Sequence, residues 1–152
     1  MFEKIMVCVD GSKAAAAALR TTIEFAKRFD VDQVLAIHVV PHMTLYEGEG
    51  VWRANLMTHL DEHGREVLAE AEKELGRHGI SPTAIKAYGD PGYQIVKRAK
   101  NEAVDLIIIG NRGLTGISSI LLGSVGERVA RNALCSVLII RDGEEAKDDD
   151  SS

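Results

Sequence analysis

Short aliphatic runs alternate with stretches of helical period along this chain, and that alternation constrains its fold more than any other feature. Ile5 to Val9, "VLAIHVV" at 34 to 40, "TAIKAY" at 83 to 88, "DLIII" at 105 to 109 and "SVLIIR" at 136 to 141 read as strands. Between the first two, Ala15, Leu19, Ile23 and Ala26 fall on one helical face behind Ser12, a residue suited to cap a helix. Leu56, Leu60, Val67, Ala71 and Leu75 mark a long second helix, ending near Gly76 and Gly79. Asp90 and Pro91 supply an N-cap and a first-turn proline to a third, with Ile95, Val96 and Ala99. Ser124 and Glu127 have the spacing of a capping box for a fourth, with Val129, Ala130 and Ala133. Strands joined by helical crossovers make an α/β fold: a five-stranded parallel sheet, Rossmann-like, with helices on both faces.

The strand order follows from which runs tolerate an edge. The third carries Pro82 at its start and Lys86 within it, whereas the second is aliphatic, so the third belongs outside and the expected order is 3-2-1-4-5. The winding then reverses between strands one and four, and ligands of such sheets bind beyond the carboxyl ends of the strands at that reversal. The first strand ends at Asp10 and the fourth at Gly110, so both face the expected crevice.

Directly after the fourth strand comes "GNRGLTGISSILLGSVGERV". Backbone N–H groups surround phosphate oxygens only where no Cβ intervenes, and glycine also permits the positive φ angles that turn successive N–H groups inward. Gly110 and Gly113 would shape a turn beneath a phosphate chain, while Gly123, Ser124 and Val125 would offer it a helix start. The alternative is a glycine-rich loop that binds nothing. "GNRGLTG" lacks the lysine and hydroxyl of a P-loop, and no G-x-G-x-x-G occurs.

The spacing G-x2-G-x9-G-[ST], met by Gly110, Gly113, Gly123 and Ser124, resembles that of the universal stress protein family in its ATP-binding branch. The resemblance extends through "KIMVCVDGS", "LAIHVV", "GDPGYQIVKRAK", "DLIIIGNRG", "LLGSVGERV" and "SVLII", nearly the whole folded chain. It implies ATP as ligand, with magnesium. Asp10 would contact adenosine or the divalent ion, Val39 would meet adenine through its backbone, and Gly110, Gly113, Gly123, Ser124 and Val125 would surround ribose and phosphates. Arg112 is placed to reach the phosphates, the alternative being a solvated loop side chain. Pairing of the fifth strand, Val137 to Ile140, between two subunits is also implied, consistent with an aliphatic run left at an edge.

Composition narrows the function classes. The 152 residues carry a net charge of −5, but "EEAKDDD" near the end concentrates the acidity, leaving 18 acids against 17 bases in residues 1 to 143. One domain over 1–143 and a disordered acidic tail over 144–152 are expected. The near-neutral remainder lacks the basic footprint of a nucleic-acid binder. No apolar run reaches membrane-spanning length, the first residues lack a signal-peptide pattern, and Cys8 and Cys135 read as small buried hydrophobes of a reducing cytosol.

His59, Glu62 and His63 match H-x-x-E-H, a zinc-peptidase pattern, but a solvated polar helix face is the preferred reading. His38 is expected to be packed and hydrogen-bonded in its strand. Tyr46 and Trp52 fall in a long loop, with packing or shielding of adenine as their alternatives. The expected function is a cytosolic, homodimeric nucleotide-binding regulator in stress response, acting on a protein partner the sequence does not identify. The alternatives are a slow magnesium-dependent ATPase or phosphotransferase using Asp10 with Arg112 or Arg128, and a ligand-free interaction module.

Overall fold

The computed structural model describes residues 1–42, 50–114 and 122–142. Its elements run β1 (Lys4–Cys8), α1 (Lys13–Phe29), β2 (Gln33–Val40), α2 (Gly50–Arg77), β3 (Thr83–Tyr88), α3 (Pro91–Asn101), β4 (Leu106–Gly110), α4 (Ser124–Asn132) and β5 (Ser136–Ile140). The sheet is parallel in the order β3-β2-β1-β4-β5, as the edge argument required. β1 lies at its centre, pairing Ile5 with Val34 on one side and with Leu106 on the other.

Alternate residues of the central strands feed opposite faces. Ile5 and Val7 join Leu19 and Ile23 of α1 and Leu68 and Leu75 of α2 in one core; Met6, Ile37 and Ile107 join Ile95 of α3 and Val129 of α4 in the other. Both faces of the sheet are therefore covered, and its central strands have no polar side to present. At the β3 edge, Lys86 Nζ lies 2.8 Å from Asp61 Oδ1 of α2, and Tyr88 donates its hydroxyl to the same carboxylate. Those two bonds hold the Asp61 carboxyl below the ordinary carboxylate range.

Two helix starts agree with the sequence. Ser12 Oγ accepts the Ala15 N–H at 3.1 Å, and Asp90 Oδ2 accepts the Tyr93 N–H at 2.9 Å ahead of Pro91. The other two helix starts differ from that expectation. The second helix begins at Gly50, so Trp52 is helical and exposed rather than part of a loop. The capping box at Ser124 does not form: Gly123 is the N-cap, Ser124 is the first helical residue, and Glu127 pairs with Arg131 at 2.9 Å. An extended glycine enters the helix without a side-chain cap, which leaves the glutamate free to bond forward along the helix. Met43, Tyr46 and the acidic tail lie outside the described residues. Among the described residues no helix is long and apolar enough to cross a membrane.

Candidate functional site

Where β1 and β4 part company, a cavity of about 410 Å³ opens beyond their carboxyl ends. Asp10, Val39, Gly110, Arg112, Gly113, Gly123, Ser124 and Val125 all line it. Its volume lies within the range of small-molecule sites. Cys8, Ile37, Ile95 and Ile109 give it an apolar floor, and Ser12, Pro91 and Ser124 bring the starts of α1, α3 and α4 to its edge.

Those three helix starts differ in what satisfies them. α1 and α3 are closed by Ser12 and Asp90, whereas α4 has no side-chain cap among the described residues. The first N–H groups of a helix have no acceptor within it and carry the positive end of its dipole. Ser124, Val125 and Gly126 supply those groups on the cavity wall. Among the described residues no side chain closes these donors, so the wall offers them to a ligand.

Val39 contributes through its backbone. The Val9 N–H donates to Ile37 O at 2.9 Å, so odd-numbered residues here turn their N–H and C=O toward β1. β1 ends at Cys8, and the Val39 pair therefore lies beyond it at the cavity wall. One donor and one acceptor side by side suit the edge of a purine base.

Asp10 is held by its own turn. Its Oδ1 accepts the Ser12 N–H at 2.9 Å, and Gly11 continues the chain at φ +85°. Its Oδ2 points across the crevice, 3.1 Å from where a Cβ on Gly113 would stand. Among the described residues no three His, Cys, Asp or Glu side chains gather as a metal site. A hard divalent ion commonly takes one carboxylate and completes its shell with ligand phosphates and water, a role Asp10 Oδ2 fits.

The glycines work by space rather than by unusual dihedrals. Among the described residues the glycines with positive φ are Gly11, Gly79 and Gly89, so Gly110, Gly113 and Gly123 do not turn the backbone inward as expected. A Cβ on Gly110 would come 2.7 Å from the carbonyl carbon and Cβ of Ala14, so this glycine lets α1 lie against β4. A Cβ on Gly123 would meet Asn111 O at 3.4 Å and Arg112 Cα at 3.5 Å, which is ordinary contact.

Arg112 is neither solvated nor open. Its Nε lies 3.1 Å from Asp142 Oδ2, with side chains only 12% and 6% exposed. Arg128 likewise bonds Asp90 at 2.9 Å, at the exposed rim between α3 and α4. His59 and Glu62 are exposed as expected of a polar face, but His63 is not: it is half-buried, with Nε2 3.2 Å from the Asp10 carbonyl. His63 follows Leu60 by three residues and precedes Val67 by four, so the helical period itself sets it beside the apolar face, which the polar-face reading passed over. His38 is packed as read, its Nδ1–H donating to Val9 O at 2.8 Å. Burial pushes its pKa down from 6.5, against the effect of that bond. Burial, with Asp10 nearby, pushes the Cys8 thiol up, so the floor beneath the cavity is uncharged.

Comparison with known proteins places this geometry in company. The model of the universal stress protein family matches residues 1–141. Universal stress protein MJ0531 of Methanocaldococcus jannaschii is 38% identical over 93% of this chain and 83% of its own length. The structure of MJ0577, a universal stress protein of the same organism, superposes with a TM-score of 0.79 at 32% identity, covering 93% of this chain and 96% of that one. A universal stress protein from Archaeoglobus fulgidus, solved in complex with dAMP, superposes with a TM-score of 0.65 at 25% identity, covering 91% and 98%.

The division of labour among the glycines is testable by stability. Gly110→Ala should destabilise the fold by about 1–3 kcal/mol, because the new methyl must displace backbone. Urea denaturation measures this, and a loss below roughly 0.5 kcal/mol would show that α1 has room to move.

Proposed function

Because the chain belongs to the universal stress protein family, we propose that the cavity between β1 and β4 takes up an adenine nucleotide, ATP with magnesium. The observation that carries this reading is the uncapped start of α4 on the wall of a cavity whose opposite side holds the Val39 backbone pair. Adenine would lie against Val39, over the apolar floor. Ribose and phosphates would run past Gly110 and Gly113 to the N–H groups of Ser124 and Val125, where the helix dipole favours negative charge. Asp10 Oδ2 would hold the divalent ion together with the phosphates. The dAMP complex of the Archaeoglobus fulgidus relative supports an adenine nucleotide in this fold.

Arg112 is already bonded to Asp142, and Arg128 to Asp90. The groups that an ATPase would use to stabilise charge are thus already engaged by carboxylates. A binding module of residues 1–143, cytosolic and acting in stress response through a protein partner, is the reading these features favour. Its dimer would form through β5, whose Val137, Leu138, Ile139 and Ile140 are only half-buried at the sheet edge. In sedimentation analysis the protein should run at twice its chain mass; a monomer across micromolar concentrations removes this interface.

Isothermal titration of nucleotide-stripped protein with ATP, with and without magnesium, tests the site. Gly123→Val should fold with only a modestly lowered unfolding temperature, since its Cβ meets only ordinary contacts although valine is a poorer N-cap than glycine. It should nonetheless weaken ATP by at least about tenfold, or ~1.4 kcal/mol, by filling the space before α4. Equal affinity in the two proteins would contradict a phosphate position at that helix start.

A further inference from the structure

α2 contributes no residue to the cavity lining, yet one of its side chains grips the backbone that carries Asp10. The two carbonyls at the end of β1 are each taken by a histidine from a different element. His38 of β2 donates Nδ1–H to Val9 O at 2.8 Å, and His63 of α2 donates Nε2–H to Asp10 O at 3.2 Å. A carbonyl can only accept, so both ring nitrogens are the donors. The two rings meet edge to face with centroids 5.9 Å apart.

Close approach makes this contact possible. A Cβ on Gly64 would stand 2.7 Å from His38 Cδ2, so bare backbone next to His63 lets α2 settle onto the β2 histidine. On the other side, a Cβ on Gly11 would stand 3.3 Å from His63 Cε1. The imidazole of His63 therefore fills the space over the Asp10–Gly11 turn. That turn has a glycine at φ +85°, the residue type least restrained by its own sterics. Its own bond from Ser12 N–H to Asp10 Oδ1 fixes the carboxylate side of the turn, and His63 adds an outside contact at the carbonyl.

We infer that His63 is a positioning residue for the nucleotide site: by fixing the Asp10 carbonyl it sets the turn that aims Asp10 Oδ2 across the crevice. This rests on the reading of the cavity given above. The carboxylate is then defined at three points. His63 holds its carbonyl, the Ser12 N–H holds Oδ1 at 2.9 Å, and Oδ2 is left facing Gly113 for a ligand or its ion. Loss of the His63 donor would release the carbonyl, let the Gly11 turn sample other dihedrals, and blur the position of Oδ2. The ligand's base and phosphate contacts, at Val39 and α4, lie on other elements and would be unaffected.

Two variants separate position from packing. His63→Phe keeps a ring against His38 and removes the donor, whereas His63→Gln restores an N–H near the place of Nε2. In ligand-free protein, amide hydrogen exchange at Ser12, whose N–H is bonded to Asp10 Oδ1, should quicken by about tenfold in His63→Phe and stay near wild type in His63→Gln. On titration with ATP, His63→Phe should lose about tenfold of the affinity that magnesium adds, as outer-shell partners of metal ligands commonly do. Its affinity for ATP without magnesium should stay within about twofold of wild type, and His63→Gln should recover the magnesium increment. Unchanged Ser12 exchange in His63→Phe overturns the positioning role. Equal losses with and without magnesium, not recovered by glutamine, overturn it too, since they mark a general packing defect. Wild-type protein that binds no ATP defeats the reading of the cavity instead, and Ser12 exchange then decides the role of His63.

Discussion

Two central strands, β1 and β4, lie side by side in parallel and then send their chains to opposite faces of the sheet. α1 leaves β1 for one face and α4 leaves β4 for the other, and among the described residues a cavity opens above the strand ends between them. The cavity is a consequence of winding and not of any one side chain. Keeping it well defined requires close packing just beneath it. Gly110 meets that need by letting Ala14 and the first turn of α1 lie directly against β4. Other features of the site are built on this frame: the Asp10 turn at one lip, the bare start of α4 at the other, and the end of β2 alongside.

Much of this could be read from residue order. Strand three was placed at an edge by Pro82 and Lys86, strand five fell to the other edge in the resulting order, and the observed order agrees. The expected lining residues come together because they sit at strand ends, in the turns that follow or at the start of α4, which is where topology brings distant segments close. Local capping was legible at Ser12 and Asp90, where a side chain reaches its own helix.

What could not be read depends on distances between elements. Ser124 and Glu127 have the right spacing for a capping box, but the chain enters α4 one residue earlier, through an extended Gly123. Glycine spacing suggested strained dihedrals, whereas the reason at Gly110 is Ala14, nearly a hundred positions away. His63 looked like one of several polar residues on a helix. Its place three residues after Leu60 and four before Val67 turns it to the buried side of α2, and the seating of Gly64 on His38 brings that side close to the Asp10 carbonyl. Arg112 is similar: its loop position was evident, but its nearly buried partner Asp142 follows the last strand and carries no local signal.

The proposed adenine nucleotide would lie between the Val39 backbone and the first N–H groups of α4. Backbone amide resonances recorded during titration with ATP test this placement most directly, because the contacts in question are made by main-chain groups. The largest shifts should fall on Val39, Gly113, Ser124 and Val125, with β3 and the far end of α2 undisturbed. Shifts centred elsewhere, or none at saturating nucleotide, would contradict the placement.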